Sequence, residues 1–143
     1  MTASLLALFA WSFAAATFLP LGSEVPFAYL VHTRQEAALP VMVATAGNYL
    51  GACTTYWLAR GAIRVLDSHR TENESSTARR GRAFAFVRRW GAPALAFSWV
   101  PVVGDVLVAA AGALRLPFAS SSVWLVAGKL VRYLALAWAT LRV

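Results

Sequence analysis

Apolar residues along the chain fall into four long stretches, and two of these stretches are interrupted near their middle. The uninterrupted stretches cover residues 37–58 and 118–141. A helix needs about 20 residues, each rising about 1.5 Å, to cross the hydrocarbon core of a bilayer. The pattern therefore predicts transmembrane helices over 37–58 and 118–141.

The interrupted stretches, about residues 4–33 and 92–114, each contain a turn signal in which proline and glycine precede an acidic residue. These residues are Pro20, Gly22 and Glu24 in the first stretch, and Pro101, Gly104 and Asp105 in the second. The limb after the first turn and both limbs of the second are too short to cross a bilayer. We therefore predict two re-entrant hairpins, in which the chain enters the membrane, turns and returns to the same side. Non-helical backbone at that depth is tolerated only when it is buried in protein or lines a water-filled cavity.

Composition supports a membrane location. Hydrophobic residues make up 59% of the chain and charged residues 13%, against about 45–50% and about 25% in soluble domains. A small core cannot hide this much apolar surface, so the excess must face lipid. The composition excludes a disordered chain, and Cys53 has no partner for a disulfide. We find no catalytic motif, metal-ligand spacing or glycine-rich phosphate loop, so we expect no enzyme activity, metal or cofactor.

Basic residues are concentrated between the two halves of the chain, from Arg60 to Arg89. Arginines beside membrane spans mark the cytoplasmic side, so residues 60–90 are predicted to be a cytoplasmic loop followed by a short interfacial helix over 78–90. The loop itself is expected over 67–77. We expect the arginines to bind anionic lipid headgroups. Nucleic-acid binding would leave the apolar stretches unexplained, and self-association of so small a chain stays open.

The predicted fold is thus an all-α integral membrane domain spanning residues 1–143. It contains two re-entrant helical hairpins, two transmembrane helices and the interfacial helix. With residues 60–90 in the cytoplasm, the first hairpin enters from the periplasm and the second from the cytoplasm. Repeated broken hairpins that meet near the midplane are one way in which transporters build their sites.

Ionisable residues at membrane depth are the main functional candidates, and they are Glu24, Asp105, Lys129 and Arg132. Each charge at a helix centre costs about 2.5–3.5 kcal/mol on insertion scales, so such residues usually line pathways or pair with one another. We expect them to bind a proton or an anionic substrate in a polar cavity. The alternative interpretation is two buried ion pairs that fix helix register.

Small residues within the first predicted transmembrane helix share one face. Gly47 and Gly51 are four residues apart, which is the spacing that lets membrane helices approach closely. Asn48 lies on the same side of the helix. We expect this face to form part of the cavity wall or, in the simpler interpretation, a packing seam.

Several motifs occur in the order found in one family of membrane proteins. They are FLPLGSEV at 18–25, ATAGNYLG at 44–51, YWLARG at 56–61, SWVPVVGD at 98–105 and GKLVRY at 128–133. The chain resembles the DedA family, also called the VTT or SNARE-associated domain family, and is most similar to its YqaA-like branch. The resemblance implies a bacterial inner-membrane protein with two facing re-entrant hairpins. It also implies transport or scrambling of lipids such as polyprenyl phosphates or phospholipids, with dependence on the proton motive force in some members.

The resemblance assigns the functionally important acid of the first hairpin to Glu24. The family pattern in the second hairpin has two arginines flanking a proline. This chain has Ser98 and Gly104 around Pro101 instead, and Lys129 and Arg132 are candidates to supply the missing positive charge. The leading hypothesis is a lipid transporter or scramblase with proton coupling. The alternatives are a non-transporting structural or assembly protein and a proton or ion channel.

Overall fold

The computed structural model describes residues 2–17, 22–34, 36–66 and 74–142, and every regular element among them is helical. The α-helices are α1 (Thr2–Thr17), α2 (Glu24–Arg34), α3 (Ala38–Leu66), α4 (Glu74–Trp90), α5 (Val103–Ala113) and α6 (Phe118–Leu141). A 3₁₀ helix, Ala92–Trp99, lies between α4 and α5. Both interrupted stretches are therefore broken close to the turns that the sequence predicts, although Pro20 lies outside the described residues.

Large apolar side chains cover much of the outer surface. Val25 is 78% exposed, Tyr29 70% and Leu6 67%. So many exposed large apolar side chains are typical of a protein that faces lipid. In the described part of the chain, α6 is the helix long and apolar enough to cross a membrane, and the apolar helices 3–17 and 103–113 are shorter.

Helix α3, the other predicted crossing, has 29 residues and is about 43 Å long at 1.5 Å per residue. Its length suffices for a crossing, but polar residues such as Thr45 and Asn48 lower its apolar character, and both are buried against other helices. The predicted end at residue 58 is wrong for the helix itself, which continues to Leu66. Arginine is a good helix former, so the basic residues end the apolar stretch and leave the helix intact.

Two glycines of α3 hold α1 directly against it. A Cβ atom added at Gly47 would lie 2.5 Å from the carbonyl oxygen of Phe9, and one added at Gly51 would lie 2.5 Å from that of Phe13. Thr55 continues this seam by donating a hydrogen bond of 3.0 Å to the carbonyl of Ala16. Residue numbers increase along both helices in step, so α1 and α3 run parallel.

Helix α2 returns to the beginning of α3 after the first break. Leu30 and Val31 share a buried cluster with Val41 and Ala44 near the beginning of α3. Phe27 of the same helix packs against Tyr133 of α6, with ring centroids 5.1 Å apart. The two limbs of the first broken stretch therefore differ in their partners: α1 packs on α3, whereas α2 packs on α6 and on the beginning of α3.

The second broken stretch packs through glycines as well. A Cβ atom at Gly128 of α6 would lie 2.7 Å from the carbonyl oxygen of Ala96 and 2.7 Å from Ser98 Oγ. Gly112 of α5 lies against the backbone of Tyr56 in α3. These contacts show that the first limb, the 3₁₀ helix, packs on α6, while the second limb, α5, packs on α3.

The predicted bounds of the loop and of the helix that follows it need correction. Helix α4 begins at Glu74, so residues 74–77 are helical where a loop is predicted, and residues 67–73 lie outside the described part. Ala83 and Val87 of α4 are buried in one cluster with Leu95 and Leu107. The apolar face of α4 therefore packs on the second broken stretch, while the arginines that follow, Arg88 and Arg89, are exposed.

The glycine seam between α1 and α3 gives a direct test of this packing. We expect Gly47→Ala to lower the free energy of unfolding by about 1–3 kcal/mol, because the new methyl group must displace the backbone of Phe9. Thermal unfolding in detergent micelles measures the change. Gly61→Ala is the matched control, since its Cβ meets nothing within 4 Å, and it should stabilise the helix by up to about 1 kcal/mol. Equal responses of the two variants would contradict the seam.

Candidate functional site

The two helix breaks meet at a small polar cavity that is partly open to the outside. Its volume is about 30 Å³, close to the volume that one water molecule occupies in the liquid. The lining residues come from both breaks and from four helices, and they are Ala15, Gly22, Ser23, Asn48, Pro101, Val102, Asp105 and Arg132. Residues more than 100 positions apart in sequence therefore contribute to one site.

An ion pair closes one side of this cavity. Arg132 of α6 donates to the carboxylate of Glu24, and their side chains are 15% and 33% exposed. Glu24 is the first residue of α2, where the helix dipole favours a negative charge. The pair thus joins α2 to α6 at the first break.

A second buried cation lies next to the cavity. The Lys129 side chain is 2% exposed, and its ammonium group donates to Oδ1 of Asn48 in α3. The Asn48 amide in turn donates a hydrogen bond of 3.2 Å to the carbonyl of Ser12 in α1. One chain of hydrogen bonds therefore links α6, α3 and α1 and satisfies a lysine that would otherwise be costly to bury.

Asp105 occupies the first turn of α5 and lines the cavity. Lys129 and Arg132 both act on its carboxylate electrostatically, but it makes no hydrogen bond or ion pair within 4 Å among the described residues. The two acids and two bases of this region cancel in formal charge. Asp105 is the carboxylate whose hydrogen-bonding capacity is still free.

Sequence reasoning missed two residues that complete the site. Ser23 at the first break and Tyr133 of α6 share a hydrogen bond of 2.6 Å between their hydroxyl groups, and both side chains are buried. Tyr133 is four residues after Lys129, so the helical period alone places it on the same face. A polar aromatic residue on the face of the two bases was the signal available in the sequence.

The sequence-predicted site residues separate into three groups. Gly22, Asn48, Pro101, Asp105 and Arg132 line the cavity, whereas Glu24 and Lys129 are paired with lining residues. Gly47 and Gly51 belong to the seam with α1, and Gly104 packs on Ser98 beside the second break. Pro20 lies outside the described residues. Within the described chain, no group of three histidine, cysteine or acidic residues could hold a metal ion.

The packing at the second break leaves no room for arginine at positions 98 and 104, where the resemblance to the DedA family would place it. A Cβ atom at Gly104 would collide with the backbone of Ser98, and Ser98 itself fills the space over Gly128. An arginine at either position would need a different arrangement of the 3₁₀ helix, α5 and α6. In this chain the positive charge at the cavity comes from Arg132 and Lys129 of α6.

An apolar groove adjoins the polar cavity. It lies between α4 and the second broken stretch, has a volume of about 840 Å³ and is lined mainly by phenylalanine, valine and leucine side chains, with Arg82 also present. Val102, which has a positive φ of 65°, lines both the groove and the cavity. The two spaces therefore share a wall at the second break.

The hydrogen bond between Lys129 and Asn48 can be tested by a double-mutant cycle. We expect Asn48→Leu to lower the free energy of unfolding by about 1.5–3 kcal/mol, because it leaves the lysine charge without its acceptor. Lys129→Met should remove the need for that acceptor, so the double variant should be more stable than Asn48→Leu alone. Chemical denaturation in mixed micelles measures the cycle. Purely additive losses would contradict the pairing.

Comparison with known proteins gives three curated relatives. An uncharacterised protein of Haemophilus influenzae is 39% identical over 141 residues, covering 93% of this chain and 85% of its own length. Inner membrane protein YqaA of Escherichia coli and its counterpart in Shigella flexneri are each 38% identical over 140 residues, covering 97% of this chain and 92% of theirs.

No family model matches the chain, and no solved structure matches it significantly. The curated relatives nevertheless extend along almost the whole sequence. Identity of this extent over so much of both chains is sufficient to establish common family membership. The chain belongs to the YqaA family of bacterial inner-membrane proteins.

Proposed function

We propose that this protein is a transporter or scramblase of a phosphate-bearing lipid, either a phospholipid or a polyprenyl phosphate. The observation that carries the proposal is the shared wall at Val102 between a charged cavity and an apolar groove of about 840 Å³. A lipid has one charged end and one apolar end, so it needs these two environments side by side. The wider resemblance to the DedA family agrees with this choice of substrate.

In the proposed arrangement, the broken stretches are re-entrant hairpins that enter the membrane from opposite sides. Helix α6 provides the depth scale. Lys129 is the twelfth of its 24 residues, so a spanning α6 would put the cavity near the middle of the bilayer. A lipid headgroup passing between leaflets would reach these charges at the point where lipid alone offers it least stabilisation.

Arg132 is the proposed phosphate-binding residue. Arginine binds phosphate with two parallel hydrogen bonds, and Glu24 occupies that guanidinium in the present structure. A cavity of about 30 Å³ is too small for a headgroup, so binding requires the two breaks to separate. We infer that the phosphate displaces Glu24 from Arg132 as the cavity widens, and that Lys129 adds a second positive charge.

Asp105 is the proposed proton-binding residue. Its carboxylate lines the cavity beside the two bases and has no hydrogen-bond donor among the described residues. A carboxylate would repel an incoming phosphate, whereas the protonated acid would not. Protonation of Asp105 would therefore favour headgroup entry and could couple transport to a proton gradient.

Transport can be measured in reconstituted vesicles that contain a fluorescent phospholipid and an impermeant quencher. We expect Glu24→Gln and Asp105→Asn to slow lipid movement by at least about tenfold, or about 1.4 kcal/mol, because an amide can neither carry the proton nor regain the negative charge that releases the phosphate from the two bases. Glu36→Gln, which changes an exposed acid, should leave the rate unchanged. Equal rates with and without protein would refute transport, and full activity of both site variants would refute these roles.

A structural or assembly role is the second candidate, and the ion pair itself favours it. Glu24 and Arg132 join α2 to α6, while Lys129 and Asn48 join α6 to α3. Such pairs can fix helix register without any transport. The groups would then serve folding, and exchanging the partners should be tolerated.

The charge swap Glu24→Arg with Arg132→Glu distinguishes the two candidates. Each single change should destabilise the protein because it brings like charges together, and the double variant should recover thermal stability. If the site moves lipid, the recovered protein should still fail in the vesicle assay, since the phosphate-binding arginine is displaced. Recovery of both stability and biological function would favour the structural role.

A further inference from the structure

A second cationic pocket lies far from the central cavity, where α3 passes the turn between α5 and α6. It is lined by Trp57, Arg60, Gly61 and Arg115 and has a volume of about 220 Å³. One water molecule occupies about 30 Å³ in the liquid, so a phosphate group fits easily. Trp57 of this pocket packs on Phe118 at the start of α6, whereas Arg132, which lines the cavity, is fourteen residues further along that helix. The two sites are therefore about 21 Å apart along α6.

Arg60 is held in position rather than left free to move. Its guanidinium donates hydrogen bonds to the Tyr56 hydroxyl at 3.0 Å and to the Leu116 carbonyl at 3.4 Å. It also lies over the ring of Trp57, 5.5 Å from the ring centroid. These contacts use part of its hydrogen-bonding capacity and leave other N–H groups for a ligand.

Arg115 occupies a backbone position that usually requires glycine. Its φ is 54°, and the hydrogen bonds from Arg115 N to Gly112 O and from Leu116 N to Ala111 O, at 3.0 and 3.1 Å, form a Schellman motif at the end of α5. Glycine is preferred there because a Cβ atom disfavours the left-handed conformation. An arginine kept in such a conformation beside a second arginine indicates that its side chain has a use.

No acid among the described residues neutralises this pocket. Among the described residues, the ion pair is the one between Glu24 and Arg132 at the central cavity. Neither Arg60 nor Arg115 has a described carboxylate within 4 Å. Two guanidinium groups that have no carboxylate partner in the described part of the chain, together with an indole ring, form the usual binding chemistry for a phosphate ester at a membrane interface. Trp57 is 52% exposed and packs on Phe118, with centroids 5.3 Å apart.

We propose that Arg60 and Arg115, with Trp57 beside them, bind the phosphate of an anionic headgroup at the end of the bundle where α3 meets the α5–α6 turn. The proposal does not depend on lipid transport through the central cavity. The bound phosphate joins α3 to the turn that precedes α6. It also accounts for an arginine at a glycine position, since glycine could complete the turn but could not bind an anion.

The test uses the purified full-length protein and measures bound phosphatidylglycerol by native mass spectrometry, with phosphatidylcholine as the zwitterionic comparison. We expect Arg115→Gly to weaken phosphatidylglycerol binding by about tenfold, the effect of losing a charge-assisted hydrogen bond. The same variant should unfold at an equal or higher temperature, because glycine relieves the left-handed backbone. Loss of binding without loss of stability cannot be attributed to misfolding.

The matched control is Arg142→Gln. Arg142 also lies over a tryptophan, 4.1 Å from the centroid of Trp138, but at the opposite end of α6. It should retain phosphatidylglycerol binding, and a loss equal to that of Arg115→Gly would overturn the proposal in favour of general charge attraction. Unchanged binding in Arg115→Gly would also overturn it. A parallel titration with glycerol 3-phosphate identifies the source of the phosphate. If this soluble ester competes with phosphatidylglycerol, the pocket binds a free phosphate ester. If it does not compete, the pocket binds a lipid.

Discussion

The close approach of helix backbones at glycine is the constraint on which the rest of this structure depends. In lipid there is little hydrophobic force between helices, so they associate through tight packing and hydrogen bonds. Gly47, Gly51, Gly112 and Gly128 each bring a neighbouring backbone into the space that a Cβ atom would occupy. These contacts hold the limbs of the two broken stretches against α3 and α6.

The same packing places two basic residues of α6 between the helices, and the structure compensates them in two different ways. Arg132 has a full ionic partner in Glu24, whereas Lys129 has the neutral amide of Asn48. An amide stabilises a cation without cancelling it. Lys129 therefore keeps an electrostatic influence on Asp105 across the cavity, and the two acids and two bases remain one coupled group.

The sequence predicted the positions of the breaks well, because proline and glycine act locally and apolar limb lengths have a direct physical limit. It also identified the charged residues, since charge in an apolar stretch is conspicuous. It could not predict the partners. Glu24 and Arg132 are 108 positions apart, and the assignment of Lys129 to Asn48 instead of an acid depends on how three helices pack.

Two helix boundaries show a different limit of the sequence. Hydropathy reports where a helix leaves an apolar environment, and α3 continues to Leu66 after that point. The predicted beginning of α4 at residue 78 is four residues after the observed beginning at Glu74. The reason is the same, since a polar stretch can be helical. The 3₁₀ helix at Ala92–Trp99 was not foreseen either, because its apolar composition does not distinguish it from an α-helix.

The distribution of the limbs between partners has a mechanical consequence. Helices α1 and α5 are fastened to α3 through Gly47, Gly51 and Gly112, while the 3₁₀ helix is fastened to α6 through Gly128 and α2 through Tyr133. Each broken stretch thus has one limb on α3 and the other on α6, so its break lies where these two groups of helices meet. The cavity lies at this boundary, which is spanned by the Lys129–Asn48 hydrogen bond and by the contact of Gly104 with Ser98. Separating the two groups would widen the cavity at the expense of these contacts, while sparing those of Gly47, Gly51, Gly112 and Gly128.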